Sequence, residues 1–236
     1  MACPGKSRRL VGGVKSGRDI PLGLVLPALV RCARPDADLL QIDYEMLPAV
    51  VAQGIARFAD VAKAVKDNGL RLRGSISCSF GCPYQGDVPL DAVADVVGRM
   101  RDLGCDEIDI ADTIGVATPR KTQAVLARAI REFHVDRLAG HFHDTYGQAL
   151  ANIYASLELG ISIFHSSVAG LGGCPYAKGA TGNIATEDVL YMMNGLGIET
   201  GVDLDAVAEA GHYISQFLGR KSSSRAGNAL LARRNG

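Results

Sequence analysis

Residues Ser166–Asp188 read S-S-V-A-G-L-G-G-C-P-Y-A-K-G-A-T-G-N-I-A-T-E-D. An apolar run, Ile161-Ser162-Ile163-Phe164, leads into this stretch, and the helical pattern Val189-Leu190-Tyr191-Met192-Met193 leaves it. A buried strand therefore feeds a long glycine-rich loop that ends in a helix. Loops of this length inside a compact domain are usually functional.

Three more units of the same kind precede it. Leu138 to Phe142 reads as a strand with His143-Asp144-Thr145 at its exit, and a helix runs from about Gly147 to Leu159. Glu107 to Ala111 is a strand that leaves through Asp112-Thr113-Ile114-Gly115, and Thr118-Pro119 starts a helix reaching about Phe133. Leu70 to Ser77 is a strand with the exit loop Cys78 to Gly86. The helix after it starts at Pro89 and Asp91 and stops at Gly104. A helical pattern from about Val51 ends at Asn68-Gly69, and further helices are expected at about 186–195 and 203–218. Strands alternating with helices of this length imply right-handed crossovers and a parallel sheet. Polar residues cluster after each strand, where open α/β sheets and (β/α) barrels both place their chemistry. Four such units are half of an eight-fold barrel. The expected fold is thus α/β of the (β/α) TIM-barrel type, incomplete, over residues 51–236. Residues 1–50 read as an irregular leader with a short helix at most, because neither period persists and Pro48 breaks any helix there.

Bulk properties narrow the function. Lysine plus arginine equals aspartate plus glutamate at 25 each, which argues against a nucleic-acid or acidic-membrane partner. No apolar run reaches the roughly 18 residues of a membrane span. The six cysteines, Cys3, Cys32, Cys78, Cys82, Cys105 and Cys174, read as reduced thiols in a chain of enzyme-domain size rather than as a disulfide framework. The first 18 residues carry five basic and no acidic residues. That is either a disordered basic start in a cytoplasmic protein or the mark of mitochondrial import.

Several residues could carry chemistry. His141 and His143 lie two apart on a strand, so both imidazoles point to one face, close enough to share a divalent cation or to be satisfied structurally. Asp144 follows and could orient a ring. The amide oxygen of Asn183 suits Mg²⁺ or Mn²⁺, although an asparagine after Gly182 also suits a plain turn. Cys174, between glycine-rich arms, is placed for reaction, whereas Cys78 and Cys105 read as core. Asp112, where strand meets loop, is either an active carboxylate or a turn cap, and Glu187 either an active carboxylate or a partner of the helix dipole. Arg71, Arg73, Lys121 and Lys178 are cations that could contact phosphate or simply be solvated.

The segments R-G-S-I-S-C-S-F-G-C-P-Y, D-T-I-G-V-A-T-P, H-F-H-D-T-Y-G-Q-A-L-A-N and V-A-G-L-G-G-C-P-Y-A-K-G-A-T-G-N-I-A-T-E-D closely resemble the 3-hydroxy-3-methylglutaryl-CoA lyases over roughly residues 51 to 225. The resemblance implies a TIM-barrel metallolyase that cleaves 3-hydroxy-3-methylglutaryl-CoA to acetyl-CoA and acetoacetate with Mg²⁺ or Mn²⁺. Its implied setting is leucine degradation and ketone-body formation. It further implies His141, His143 and Asn183 as metal ligands, Cys174 as the catalytic cysteine of a mobile loop, Asp112 and Glu187 as active-site carboxylates, and His141 or Asp112 as the base. The sequence also departs from the family. The family's first strand ends in R-D-G-L-Q, which supplies a further aspartate ligand and an arginine. Here Arg18-Asp19 is followed by Ile20-Pro21, and Ser75 stands where the family commonly has an aromatic residue. A half barrel exposes edge strands, so a homo-oligomer or another partner chain is expected to cover them. Two other readings stay open: a non-catalytic remnant that binds acyl-CoA or a full-length lyase, and a related carbon–carbon condensing enzyme acting on another acyl-CoA.

Overall fold

The structure, a computed structural model, describes residues 23–25, 53–173, 179 and 181–234. Five parallel strands stand side by side in chain order: β1 (Gly23–Val25), β2 (Arg73–Ile76), β3 (Glu107–Asp112), β4 (Leu138–Phe142) and β5 (Ile163–His165). The helices of the repeating units are α1 (Ala59–Asp67), α2 (Leu90–Asp102), α3 (Pro119–Ala129) and α4 (Ala149–Glu158). After the glycine-rich stretch come α5 (Thr186–Gly195), α6 (Leu204–Phe217) and α7 (Arg225–Arg234). This is the βα repeat of a partial TIM barrel, as the sequence pattern requires. No helix among the described residues is long and apolar enough to cross a membrane.

Strand register divides the sheet into two unlike faces. Ile76, Ile108, Ile110, Leu138 and Phe142 are all buried on the side covered by helices, together with Val97, Met100, Val125, Leu126 and Ile153. Helix α2 lies so close that a Cβ on Gly74 would come within 2.7 Å of Met100 Sδ, so glycine is needed there. On the other face Arg73, Ser75, Glu107, Asp109, His141 and His165 project together, because they alternate with the apolar set and because Ser75 pairs with Asp109 and His141 with His165.

Two elements differ from the sequence reading. Residues 1–50 were expected to be irregular, yet Gly23–Val25 is a strand paired with Arg73–Ser75. Main-chain pairing on an exposed edge needs no side-chain periodicity, so three residues suffice without a pattern. Helix α7 was not anticipated either. Its sequence lacks an amphipathic stripe, and its first turn is held from a distance. The buried carboxylate of Asp188 accepts hydrogen bonds from Ser224 Oγ at 2.8 Å and from the Ala226 amide at 2.7 Å.

Candidate metal site

Backbone strain sits at two strand exits. Cys78 after β2 and Ala169 after β5 have φ of 58° and 56°, in the left-handed region that costs non-glycine residues about 1 kcal/mol. Each is pinned by hydrogen bonds. The Cys78 amide donates to Thr113 Oγ1 at 2.8 Å. The Ala169 amide donates to both carboxylate oxygens of Glu187 at 3.0 and 3.1 Å, and its carbonyl accepts from Ser223 Oγ at 2.8 Å.

The returning arm of the loop is stitched to the end of β4. The Ile184 amide donates to the Phe142 carbonyl at 3.1 Å, and Asn183 bridges His143 in antiparallel fashion. This pairing carries Asn183 to His141, so that Asn183 Oδ1 lies 2.8 Å from His141 Nε2. The amide nitrogen of Asn183 donates to the Leu171 carbonyl at 2.9 Å, which leaves the oxygen aimed at the imidazole. Asn183 is thus more than a turn residue.

The two histidines of the H-x-H strand end lie on one face, with ring centroids 5.4 Å apart. His143 Nδ1 sits 2.9 Å from the Asp112 carbonyl, a contact that fixes its ring and turns Nε2 outward. Burial holds both imidazoles below their ordinary pKa; for His141 the nearby His165 and His143 add to this while Asp109 and Asn183 oppose it. Neutral imidazoles are the form that binds a cation.

A third histidine and a carboxylate join them. Asp109, His141 and His165 each offer a ligand atom, and these atoms lie within 4.8 Å of one another. Neither Asp109 nor His165 was singled out from sequence. The signal was the alternation Glu107-Ile108-Asp109-Ile110, which puts two acids on one side of an otherwise apolar strand, but the sequence does not say that this side meets His141. An Asp/His/His set suits a divalent cation.

The expected carboxylates lie elsewhere. Asp112 pairs with Phe142, on the face opposite His141. Its carboxylate is 1% exposed and accepts from the Val116 amide at 2.9 Å and the Ala117 amide at 3.0 Å. It reaches the site through its main-chain carbonyl on His143. Glu187, 1% exposed, holds the Ala169 turn and lines a cavity of about 550 Å³ beside α6 and α7. Among the candidate cations, Arg73 lies beside His165, Arg71 faces Glu107, and Lys121 pairs with Asp87. Cys174 and Lys178 lie outside the described residues. Cys78 and Cys105 are buried, and burial pushes the Cys105 thiol up to about 11.

Asp112 gives a pH prediction. Burial raises its pKa to about 6 against the lowering effect of the Ala117, Val116 and Gly115 amides. The folded state then binds this proton more tightly than the unfolded chain between about pH 4 and 6. The associated stability is fully present below about pH 4 and is lost as pH rises through about 6, on the order of 3 kcal/mol. Urea denaturation at pH 4.5 and pH 7 is expected to show a difference smaller by about 2 kcal/mol in Asp112→Asn than in the unaltered chain. Parallel pH profiles would refute this.

A parallel βα sheet with imidazole and amide groups gathered at its strand ends, and a buried carboxylate behind them, has the architecture of a partial TIM barrel with a candidate metal site. The HMGL-like family model matches residues 40–214. The chain belongs to the HMGL-like family. It is 55% identical over 183 residues to the 3-hydroxy-3-isohexenylglutaryl-CoA/hydroxy-methylglutaryl-CoA lyase of Pseudomonas aeruginosa, a match covering 78% of this chain and 61% of that protein. It is 51% identical over 179 residues to the mitochondrial hydroxymethylglutaryl-CoA lyase of Mus musculus, covering 76% of this chain and 55% of that protein. The crystal structure of hydroxymethylglutaryl-CoA lyase from Pseudomonas aeruginosa superimposes with a TM-score of 0.75 over 77% of this chain and 61% of that one, at 55% identity. An HMG-CoA lyase from Acinetobacter baumannii, solved with coenzyme A and 3-methylmalate, matches at 34% identity with a TM-score of 0.72, over 75% of this chain and 58% of that one. The chain therefore spans about three fifths of the length of these relatives.

Proposed function

We propose that this chain carries the metal-binding and thioester-handling part of a carbon–carbon lyase site that cleaves 3-hydroxy-3-methylglutaryl-CoA to acetyl-CoA and acetoacetate. The observation that carries the reading is the docking of Asn183 Oδ1 on His141 by the returning loop arm, at 2.8 Å. An amide oxygen and an imidazole aimed at one point suit Mg²⁺ or Mn²⁺, with His143 Nε2 as the further ligand. Bound there, such a cation lowers the pKa of the substrate's tertiary alcohol and stabilises developing negative charge.

The residues divide the remaining work. The loop whose returning arm brings Asn183 to His141 is the proposed cover of the bound substrate, excluding water from an enolate. Cys174, on the same loop, is the proposed donor of a proton to the acetyl-CoA carbon. His141 is the proposed acceptor of the alcohol proton when it is not a ligand; Asp112, whose carboxylate lies on the opposite face, acts through its carbonyl on His143. Glu187 acts through the Ala169 turn that anchors the loop. An acyl-CoA substrate accords with the coenzyme A complex of the Acinetobacter relative. The proposed compartment is the cytoplasm, with the mitochondrial matrix as the other, and the proposed assembly is a homo-oligomer or a complex with a partner chain.

R-D-G-L-Q does not occur in the sequence, so cleavage by this chain alone is expected to be weak. A coupled assay for acetoacetate, with and without Mn²⁺, measures it; turnover like that of the full-length relatives would sink the weakness claim. The chemistry itself is tested by deuterium exchange into the acetyl-CoA methyl group. Exchange that needs Mn²⁺ and disappears in His141→Asn and Cys174→Ser supports the lyase reading, and no exchange in the unaltered chain contradicts it. The missing motif also favours a second reading, a non-catalytic chain that binds acyl-CoA or a full-length lyase. Acyl-CoA binding without exchange, unchanged by Cys174→Ser, would select it.

A further inference from the structure

The sheet face that carries His141 has a polar row deeper along the strands than the H-x-H end. Asp109, 2% exposed, accepts a hydrogen bond from Ser75 Oγ on Oδ1 at 2.7 Å. Its other oxygen faces His165 Nδ1 at 3.6 Å. The far nitrogen of that ring, Nε2, lies 3.4 Å from Glu107 Oε1 and 3.2 Å from Arg73 NH1. His165 stands edge-on to His141 with ring centroids 5.6 Å apart, because the two are register partners on neighbouring strands. Among the described residues, Asp109, His141 and His165 are the group whose ligand atoms converge within 4.8 Å.

We propose that Asp109, His141 and His165 form a second cation seat, an alternative to the His143–Asn183 seat because one neutral His141 ring ligates one cation at a time, and that it takes a divalent transition metal such as Co²⁺, Zn²⁺ or Mn²⁺. Two imidazoles and one carboxylate favour these ions over Mg²⁺, which prefers oxygen and keeps its water. The surroundings are those of ligands rather than of an ordinary ion pair. Ser75 fixes the carboxylate so that Oδ2 faces inward. With Nδ1 on the metal, Nε2–H would face Glu107 Oε1 at 3.4 Å, and Arg73, which can only donate and now lies 3.2 Å from Nε2, would turn to the same carboxylate 4.0 Å away; the result is the carboxylate–histidine–metal arrangement that orients ligating imidazoles. Without a cation, Asp109 would rest buried on one hydroxyl and a distant imidazole, an arrangement that costs folding free energy.

This inference deepens the metal-assisted reading of the site but is tested apart from turnover. The full chain, freed of metal with a chelator, is titrated with Co²⁺ and followed by its visible absorption, and Zn²⁺ and Mg²⁺ are then added in competition. The expected result is Co²⁺ binding displaced by Zn²⁺ but not by equal Mg²⁺, weakened about tenfold or more in both His165→Asn and Asp109→Asn, and retained in His143→Asn. Circular dichroism and a thermal melt in chelator check that each variant folds. Ser75→Ala, a milder change that only releases the Asp109 carboxylate, is expected to weaken Co²⁺ binding several-fold and covers the case in which a ligand variant does not fold. The proposal is overturned if the unaltered chain binds no Co²⁺, if folded His165→Asn binds it as tightly as the unaltered chain, or if Ser75→Ala leaves the affinity unchanged where neither ligand variant folds. Loss of binding in His143→Asn with none in His165→Asn would overturn it while leaving the lyase reading intact. Absent deuterium exchange with normal, His165-dependent Co²⁺ binding would do the reverse.

Discussion

Gly182→Ala is expected to destabilise the fold by about 2–4 kcal/mol and to abolish the contact between Asn183 and His141. Gly182 sits where the two arms of the glycine-rich loop cross. A Cβ there would run into the carbonyl oxygens of Gly170 and Gly172, and both are backbone atoms that no rotamer change can move aside. The arms would have to separate. The carbonyl of Gly182 also accepts from the Asp144 amide at 3.3 Å, and the next residues pair with the end of β4, so separation removes Asn183 from the site. Gly173→Ala is the matched control, since its Cβ would lie 3.9 Å from the nearest atom, the Thr181 carbonyl oxygen. That change is expected to stay within about 0.5 kcal/mol. Urea denaturation of both variants, with Mn²⁺ affinity as the second readout, measures the contrast. Equal stability of the two would mean that the arms do not cross this closely.

Phe142→Ala is expected to cost about 3–5 kcal/mol, a large share of the 5–15 kcal/mol typical of a domain. Phe142 is fully buried and packs its ring 5.8 Å from that of Phe80. It fills the space that Gly140 leaves open, where a Cβ would come within 2.7 Å of the Phe142 ring. Its neighbours belong to rigid strands, so the cavity would collapse only in part. The change would also reach the site, because the Phe142 carbonyl accepts from the Ile184 amide at 3.1 Å and Phe142 lies between His141 and His143. Phe217→Ala, at a side chain 76% exposed, is expected to change stability by about 0.5 kcal/mol or less. Chemical denaturation distinguishes the two. A loss below about 1.5 kcal/mol at Phe142 would show that the helix layer repacks freely.

The strands could be read because their chemistry is local. Leu138–Phe142 was bounded from sequence as the structure has it, and Glu107–Ala111 within one residue. Each is a short stretch with apolar residues on one side that follows a turn and runs into a polar exit, and such stretches alternating with helices allow little but a parallel βα array. The shared face of His141 and His143 was equally legible, since it follows from a period of two. Helix α7 was not, because its first turn depends on Asp188, a residue 36 positions before Ser224.

The sequence by itself determined the repeat of βα units, the placing of polar residues at the strand ends, and the loop that must return past H-x-H. Only the tertiary structure decided which of those residues meet. Asp112 and Asp109 are three apart on one strand, yet strand alternation and register send the first carboxylate to the amides of Val116 and Ala117 and the second toward His165. His165 and His141 are 24 residues apart in the chain and become neighbours through the pairing of β4 with β5. The physical reason is that side-chain periodicity is a property of a single strand, whereas register is a property of two. It is set by the packing of helices and by main-chain hydrogen bonds across the sheet, and these join residues whose order in the sequence carries no mark of their meeting.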